Sequence, residues 1–167
     1  MKSTTVNNLR NAFAGESQAH MKYLIFADKA DKEGKTNIAR LFRAVSFAEQ
    51  IHAANHFNVL GENKSLSENL QTAINGETYE VDEMYPSFLE VAKNQNEKQA
   101  QLSFAGALEA EKIHARMYKN AKQAVDEGKD ISVGDIYICE VCGYTVEAEA
   151  PDRCPVCNAP KDKFKKF

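Results

Sequence analysis

No run of about 18 apolar residues occurs anywhere in the 167-residue sequence, so no transmembrane helix is expected. Met1 to Phe13 is too polar to provide the apolar middle of a signal peptide. An excess of basic charge is missing as well. Lys and Arg number 21 against 24 Asp and Glu, a net charge of −3, and the two signs are interspersed. A nucleic-acid binder needs a basic face to neutralise phosphates, so that partner class is excluded. These absences lead to the expectation of a soluble, cytoplasmic chain with no membrane partner. Tryptophan is absent too, which excludes nothing. Cysteine is confined to positions 139 to 157, where four residues form two C-x-x-C pairs. Without an export signal, that arrangement reads as metal binding before disulfides.

What is present, with 43% hydrophobic residues, suffices for one ordinary core and one small accessory module. From Thr4 to about Val125 the apolar residues recur at helical spacing. The breaks fall at Glu33-Gly34-Lys35, at Gly61-Glu62-Asn63-Lys64 and at Asn94-Gln95-Asn96. Four helices are expected, over roughly 4–33, 36–60, 67–93 and 96–127. Ser67 and Thr36 are the expected N-caps, and Gly34 and Gly61 the C-terminal stops. Pro86 lies inside the third helix and should kink or break it. The domain organisation expected is a bundle over 1–127, a linker over 128–135 and a small module over 136–167. A module that short needs a metal staple, which its four cysteines supply.

Taken in steps of three and four, each helix offers one apolar seam that contains carboxylates. The first reads Val6, Leu9, Phe13, Glu16, His20, Tyr23, Ala27, Ala30, and the second Ile38, Phe42, Val45, Glu49, His52, His56, Val59. The third reads Ala73, Glu77, Glu80, Met84, Phe88, Val91, and the fourth Phe104, Ala107, Glu111, His114, Tyr118, Ala121, Val125. Residues three apart share a helix face, so Glu49-x-x-His52 and Glu111-x-x-His114 each aim one oxygen and one imidazole at one point. Two such pairs plus a glutamate from each remaining helix make the ligand set of ferritin-like di-iron or di-manganese proteins. Here one glutamate is left over.

The alternative is a set of solvated or salt-bridged glutamates. No seam contains Lys or Arg, however, and buried unpaired carboxylates cost several kcal/mol each. Two divalent ions would compensate most of that charge. Mixed carboxylate and imidazole ligands suit iron or manganese better than zinc, and the bundle alone does not separate those two. His20 and His56 read as interior histidines that hydrogen-bond, not as ligands. Tyr23, Tyr85 and Tyr118 are candidates for hydrogen bonds to the glutamates, with simple packing as the alternative.

Cys139, Cys142, Cys154 and Cys157 form two knuckles whose thiolates make a tetrahedral S₄ site, suited to zinc or to a single iron. Gly143 and Asn158 each follow the second cysteine of a pair, where a left-handed backbone would turn the chain over the metal. A di-metal redox centre elsewhere in the chain favours iron, because iron tetrathiolate carries single electrons.

At this point the sequence resembles the rubrerythrins, which join a ferritin-like di-iron bundle to a C-terminal rubredoxin-like module. The resemblance spans essentially the whole chain. It rests on Ala12-Phe13-Ala14-Gly15-Glu16-Ser17-Gln18-Ala19, on Glu49-Gln50-Ile51-His52, on Gly76-Glu77-Thr78-Tyr79-Glu80 with Met84-Tyr85-Pro86, on Glu109-Ala110-Glu111-Lys112-Ile113-His114, and on both knuckles. It implies an all-α four-helix bundle with a small rubredoxin-like β/loop domain. It also implies that Glu49 and Glu111 bridge two irons, that Glu77 and His114 complete one, and that Glu16 completes the other with Glu80 or His52. By the same resemblance Tyr23 and Tyr85 hydrogen-bond ligand carboxylates, and the four cysteines hold one further iron. Asn158 departs from the glycine usual in the second knuckle. The implied activity is reduction of hydrogen peroxide to water, with electrons from a separate reductase or rubredoxin and ultimately NAD(P)H, in a homodimer or higher homo-oligomer. The rivals are a ferroxidase using oxygen and a non-catalytic metal protein with a zinc ribbon. Lys161, Lys163, Lys165 and Lys166 form a basic tail that either docks an acidic donor or is simply solvated.

Overall fold

The computed structural model describes residues 1–167. The chain divides into two compact units, Met1–Lys64 and Ser65–Phe167.

The first unit is a hairpin of α1 (Ser3–Lys32) and α2 (Thr36–Leu60). Gly34, at φ 71°, makes the reversal, and Gly61, at φ 67°, ends α2 in the left-handed conformation that glycine adopts without steric cost. The helices run antiparallel, with Phe13 against Phe57, Ser46 against His20, and Arg43 bridging Asp28 and Asp31. Small residues line the contact: Ala27, Ala30, Ala39, Ser46 and Ala53 are the buried ones, which lets the two backbones approach closely. Thr36 is the first helical residue and not the cap, which is Lys35 without any side-chain bond.

The second unit opens with α3 (Leu66–Tyr79), continues through one π-helical turn (Glu80–Met84) into α4 (Tyr85–Asn94), and returns along α5 (Lys98–Asp126). The cap of α3 is Ser65 and not Ser67. Ser65 Oγ accepts from Glu68 N–H while the Glu68 carboxylate accepts from Ser65 N–H, a reciprocal capping box. Ser67 instead donates to Asp126 at the far end of α5. The break expected at Pro86 lies just before it: the π turn takes up one extra residue, and Pro86 sits in the first turn of α4, where no N–H is required. That extra residue also rotates the inward face. Leu89 and Ala92 join it, Val91 is exposed, and Phe88, although partly exposed, packs on Phe104 of the α5 seam at 5.6 Å.

The seams are less covered than full bundle packing would make them. Ile38, Val45 and Val59 of α2 are exposed, because two helices bury only the strip along their own line of contact.

Residues 127–135 carry no regular element. The terminal module is a three-stranded antiparallel sheet in the order β2-β1-β3, formed by β1 (Ile136–Cys139), β2 (Thr145–Glu147) and β3 (Phe164–Lys166), with a 3₁₀ turn (Lys161–Lys163) before β3. Cys139, Cys154 and Ala159 form its small core, with Tyr144, Val156 and Phe164 packed around them. No helix of the chain is long and apolar enough to cross a membrane.

Candidate metal centres

The cysteine knuckles are built alike. Gly143 N–H donates to Cys139 C=O at 2.8 Å, and Asn158 N–H donates to Cys154 C=O at 2.9 Å. Each turn needs a left-handed residue, and Gly143 (φ 80°) and Asn158 (φ 62°) both adopt that conformation. The replacement of glycine by Asn158 therefore leaves the knuckle intact. Sγ–Sγ separations of 3.6 Å for Cys139–Cys157 and for Cys142–Cys154 are far beyond a disulfide. They lie close to the roughly 3.8 Å edge of a tetrahedron with metal–sulfur bonds of about 2.3 Å. Burial drives the Cys142 thiol strongly up and raises Cys157. Burial also acts to raise Cys154, but hydrogen bonds from the Cys157 and Val156 N–H groups, with Cys142, outweigh it and leave that thiol below its ordinary value. A close-set thiol cluster whose members ionise unequally is one that a cation completes.

The carboxylate and imidazole residues assemble into two clusters, one in each unit. Glu16, Glu49 and His52 have donor atoms within 4.8 Å of one another, and so do Glu77, Glu111 and His114. In the first cluster, His52 Nδ1 lies 2.9 Å from Glu49 Oε2 and 4.0 Å from Glu16 Oε1. In the second, His114 Nδ1 lies 2.6 Å from Glu111 Oε2. Both i,i+3 pairs face as their spacing requires. None of Glu16, Glu49, Glu77, Glu80 and Glu111 pairs with a lysine or arginine.

Burial, a hydrogen bond with Glu111 and the charges of Glu111 and Glu80 raise Glu77 to about 7. Burial and Glu111 also raise Glu80, which stands on the π turn, and His114 offsets part of that. Tyr85 is raised by burial and by Glu80, Glu111 and Glu77, so it lies within the field of all three carboxylates. Without a cation, Glu77 takes up a proton near neutrality to relieve the repulsion. A divalent ion would displace that proton, and the donor set of carboxylates and imidazole with no closed sulfur cage suits iron.

The other residues singled out in the sequence take different places. Tyr23 stacks with Phe26 and Phe42, at centroid distances of 6.3 and 6.1 Å. His20 Nδ1 lies 2.9 Å from the Ser46 backbone oxygen and equally far from its hydroxyl, and His20 belongs to neither cluster. His56 is half-buried and Tyr118 exposed. The lysine tail is paired locally: Lys161 with Glu149, Lys166 with Asp135, and Lys165 over the Phe167 ring.

Two residues at the functional site escaped the sequence reading. Thr145 is buried, and its hydroxyl lies 2.7 Å from His114 Nε2. Gly106 of α5 packs against the first knuckle, where an added Cβ would stand 3.2 Å from the Cys142 Cβ. A glycine inside a long helix was the one available signal, since it marks close backbone approach.

Paired Glu-x-x-His helices that carry a tetrathiolate module define a non-haem di-metal carboxylate protein with an attached one-electron carrier. Two family models match the chain, Rubrerythrin over residues 7–122 and the rubredoxin-like domain of rubrerythrin over 137–165. The chain belongs to the rubrerythrin family. It is 47% identical to rubrerythrin-2 of Clostridium acetobutylicum over 98% of this chain and 96% of that one. It is 35% identical to nigerythrin of Nitratidesulfovibrio vulgaris over 96% and 85% of the two chains. A solved structure of nigerythrin in its fully reduced, all-ferrous state matches with a TM-score of 0.56 and 34% identity, covering 100% of this chain and 88% of that one. The chain is thus a di-iron carboxylate protein with a rubredoxin-like four-cysteine iron site, in a family of oxidoreductases.

Proposed function

We propose that this protein reduces hydrogen peroxide to water in the cytoplasm, with electrons delivered through its own four-cysteine site. The observation that carries this reading is the Glu77–Glu111–His114 cluster, whose histidine is hydrogen-bonded to the cysteine module of the same chain. The proposed iron ligands are Glu16, Glu49 and His52 with Glu77, Glu80, Glu111 and His114, and Cys139, Cys142, Cys154 and Cys157 hold the single iron. A ferrous pair supplies two electrons at one place, which suits cleavage of an O–O bond, and an iron tetrathiolate supplies electrons singly.

The polypeptide holds and moves protons. Each peroxide reduced to two waters takes up two protons as well as two electrons. Glu77, raised to about 7 in the metal-free fold, would give up its proton when a cation binds, so in the loaded site it serves as a ligand and the protons come from groups beside it. Tyr85, held protonated by burial and by the charges of Glu80, Glu111 and Glu77, keeps a phenol proton near them. Glu80, on the irregular π turn, can shift at less cost than a residue locked in α-helix. The proposed electron source is a separate reductase or rubredoxin fed by NAD(P)H. The active form is a homodimer or higher homo-oligomer, which the exposed Ile38, Val45 and Val59 support.

The test is peroxide-dependent oxidation of a reduced rubredoxin-type donor by the iron-loaded protein. Glu111→Ala should abolish it. Cys139→Ser should keep one turnover of a pre-reduced carboxylate site and lose continuous turnover. Undiminished continuous turnover in Cys139→Ser would reject the proposed route.

A further inference from the structure

We infer that Thr145 is a positioning residue that fixes the ring of His114 for the metal its cluster would hold. The inference rests on the proposed function and extends it to a residue outside both ligand sets. Thr145 is 2% exposed and begins β2, three residues after Cys142. Its hydroxyl donates to the Gly143 carbonyl at 3.1 Å, so it meets His114 Nε2, 2.7 Å away, as an acceptor. A metal-bound His114 would therefore carry its proton on Nε2. Nδ1, which faces Glu111 Oε2, is left as the nitrogen with a lone pair for a cation. Threonine at this site thus selects both the tautomer and the ring orientation of a ligand on α5.

The same bond joins the modules. From Cys142 the chain runs through Gly143 and Tyr144 to Thr145, and one hydrogen bond then reaches His114. Gly106 makes the approach possible, because any larger residue there would meet Cys142 at 3.2 Å.

The test compares wild type, Thr145→Val and Thr145→Ser as full-length, iron-loaded proteins. Valine keeps the shape and removes the acceptor. The first readout is release of iron from the carboxylate site to a chelator. Thr145→Val should release it about tenfold faster or more, the usual consequence of losing a partner behind a metal-bound histidine. The second is the absorption of the cysteine site, which should stay at the wild-type value in Thr145→Val and so show the module intact. Serine, which keeps the hydroxyl, should restore the wild-type rate of release. A Thr145→Val protein that releases iron at the wild-type rate overturns the inference. Neither readout uses peroxide, so failure of the peroxidase reading leaves this test intact.

Discussion

Glu77 concentrates the chemistry of the carboxylate cluster in one titration. Its ordinary value of 4.5 rises to about 7 in the fold, so the metal-free fold holds this proton more tightly than the unfolded chain does. That contribution to stability is complete below about pH 4.5 and is lost as the pH rises through about 7. Glu77→Gln should therefore raise the melting temperature of the metal-free protein at pH 8 and leave it nearly unchanged at pH 5, as calorimetry would record. Iron reverses the preference, because it binds the carboxylate form. Iron affinity should rise with pH across the same window, with proton release on binding. The Glu-x-x-His pairs were legible in the sequence because residues three apart must share a helix face, and the folded chain brings each pair together. Thr145 was not legible. It lies 31 residues from His114 in another module, and nothing local in Gly143-Tyr144-Thr145 points towards a histidine.

Among the elements, local hydrogen-bond competition decided where the sequence reading went astray. Ser65 and Ser67 both precede α3, and Ser65 is the cap because Glu68 stands three residues on and closes the capping box. Ser65→Ala should cost about 1 kcal/mol, measurable by denaturant titration. Helix periodicity carried the third seam correctly as far as Met84. Beyond it the π turn brought Leu89 and Ala92 inward beside Phe88 in place of Val91, a change that a regular 3.6-residue repeat cannot anticipate. On α5, Gly106→Ala sets two effects against each other. Alanine gains about 1 kcal/mol of helix propensity. Its Cβ would press on Cys142, which a bound metal holds in place, and overpacking costs about 1–3 kcal/mol. The iron-loaded variant should therefore melt at a lower temperature than wild type.

At the scale of the molecule, each unit carries a carboxylate–imidazole cluster, and the second also carries the cysteine site. Ile38, Val45 and Val59 are exposed on a two-helix unit that cannot cover them. Sedimentation of the iron-loaded protein should give a mass well above the 18.6 kDa of one chain, and a clean monomer would contradict the proposed assembly. Rubrerythrin membership rests on both modules together, and so does the proposed reaction. The carboxylate site could serve oxygen or peroxide, whereas an iron in the cysteine site, where zinc would staple the module equally well, is of use where single electrons must be returned. The most direct measurement mixes the anaerobically reduced, fully iron-loaded protein with peroxide and, separately, with oxygen, while both centres are followed by their absorption. Oxidation of the carboxylate site by peroxide, followed by reddening of the cysteine site, is the expected result. Oxidation by oxygen with no response to peroxide would contradict it.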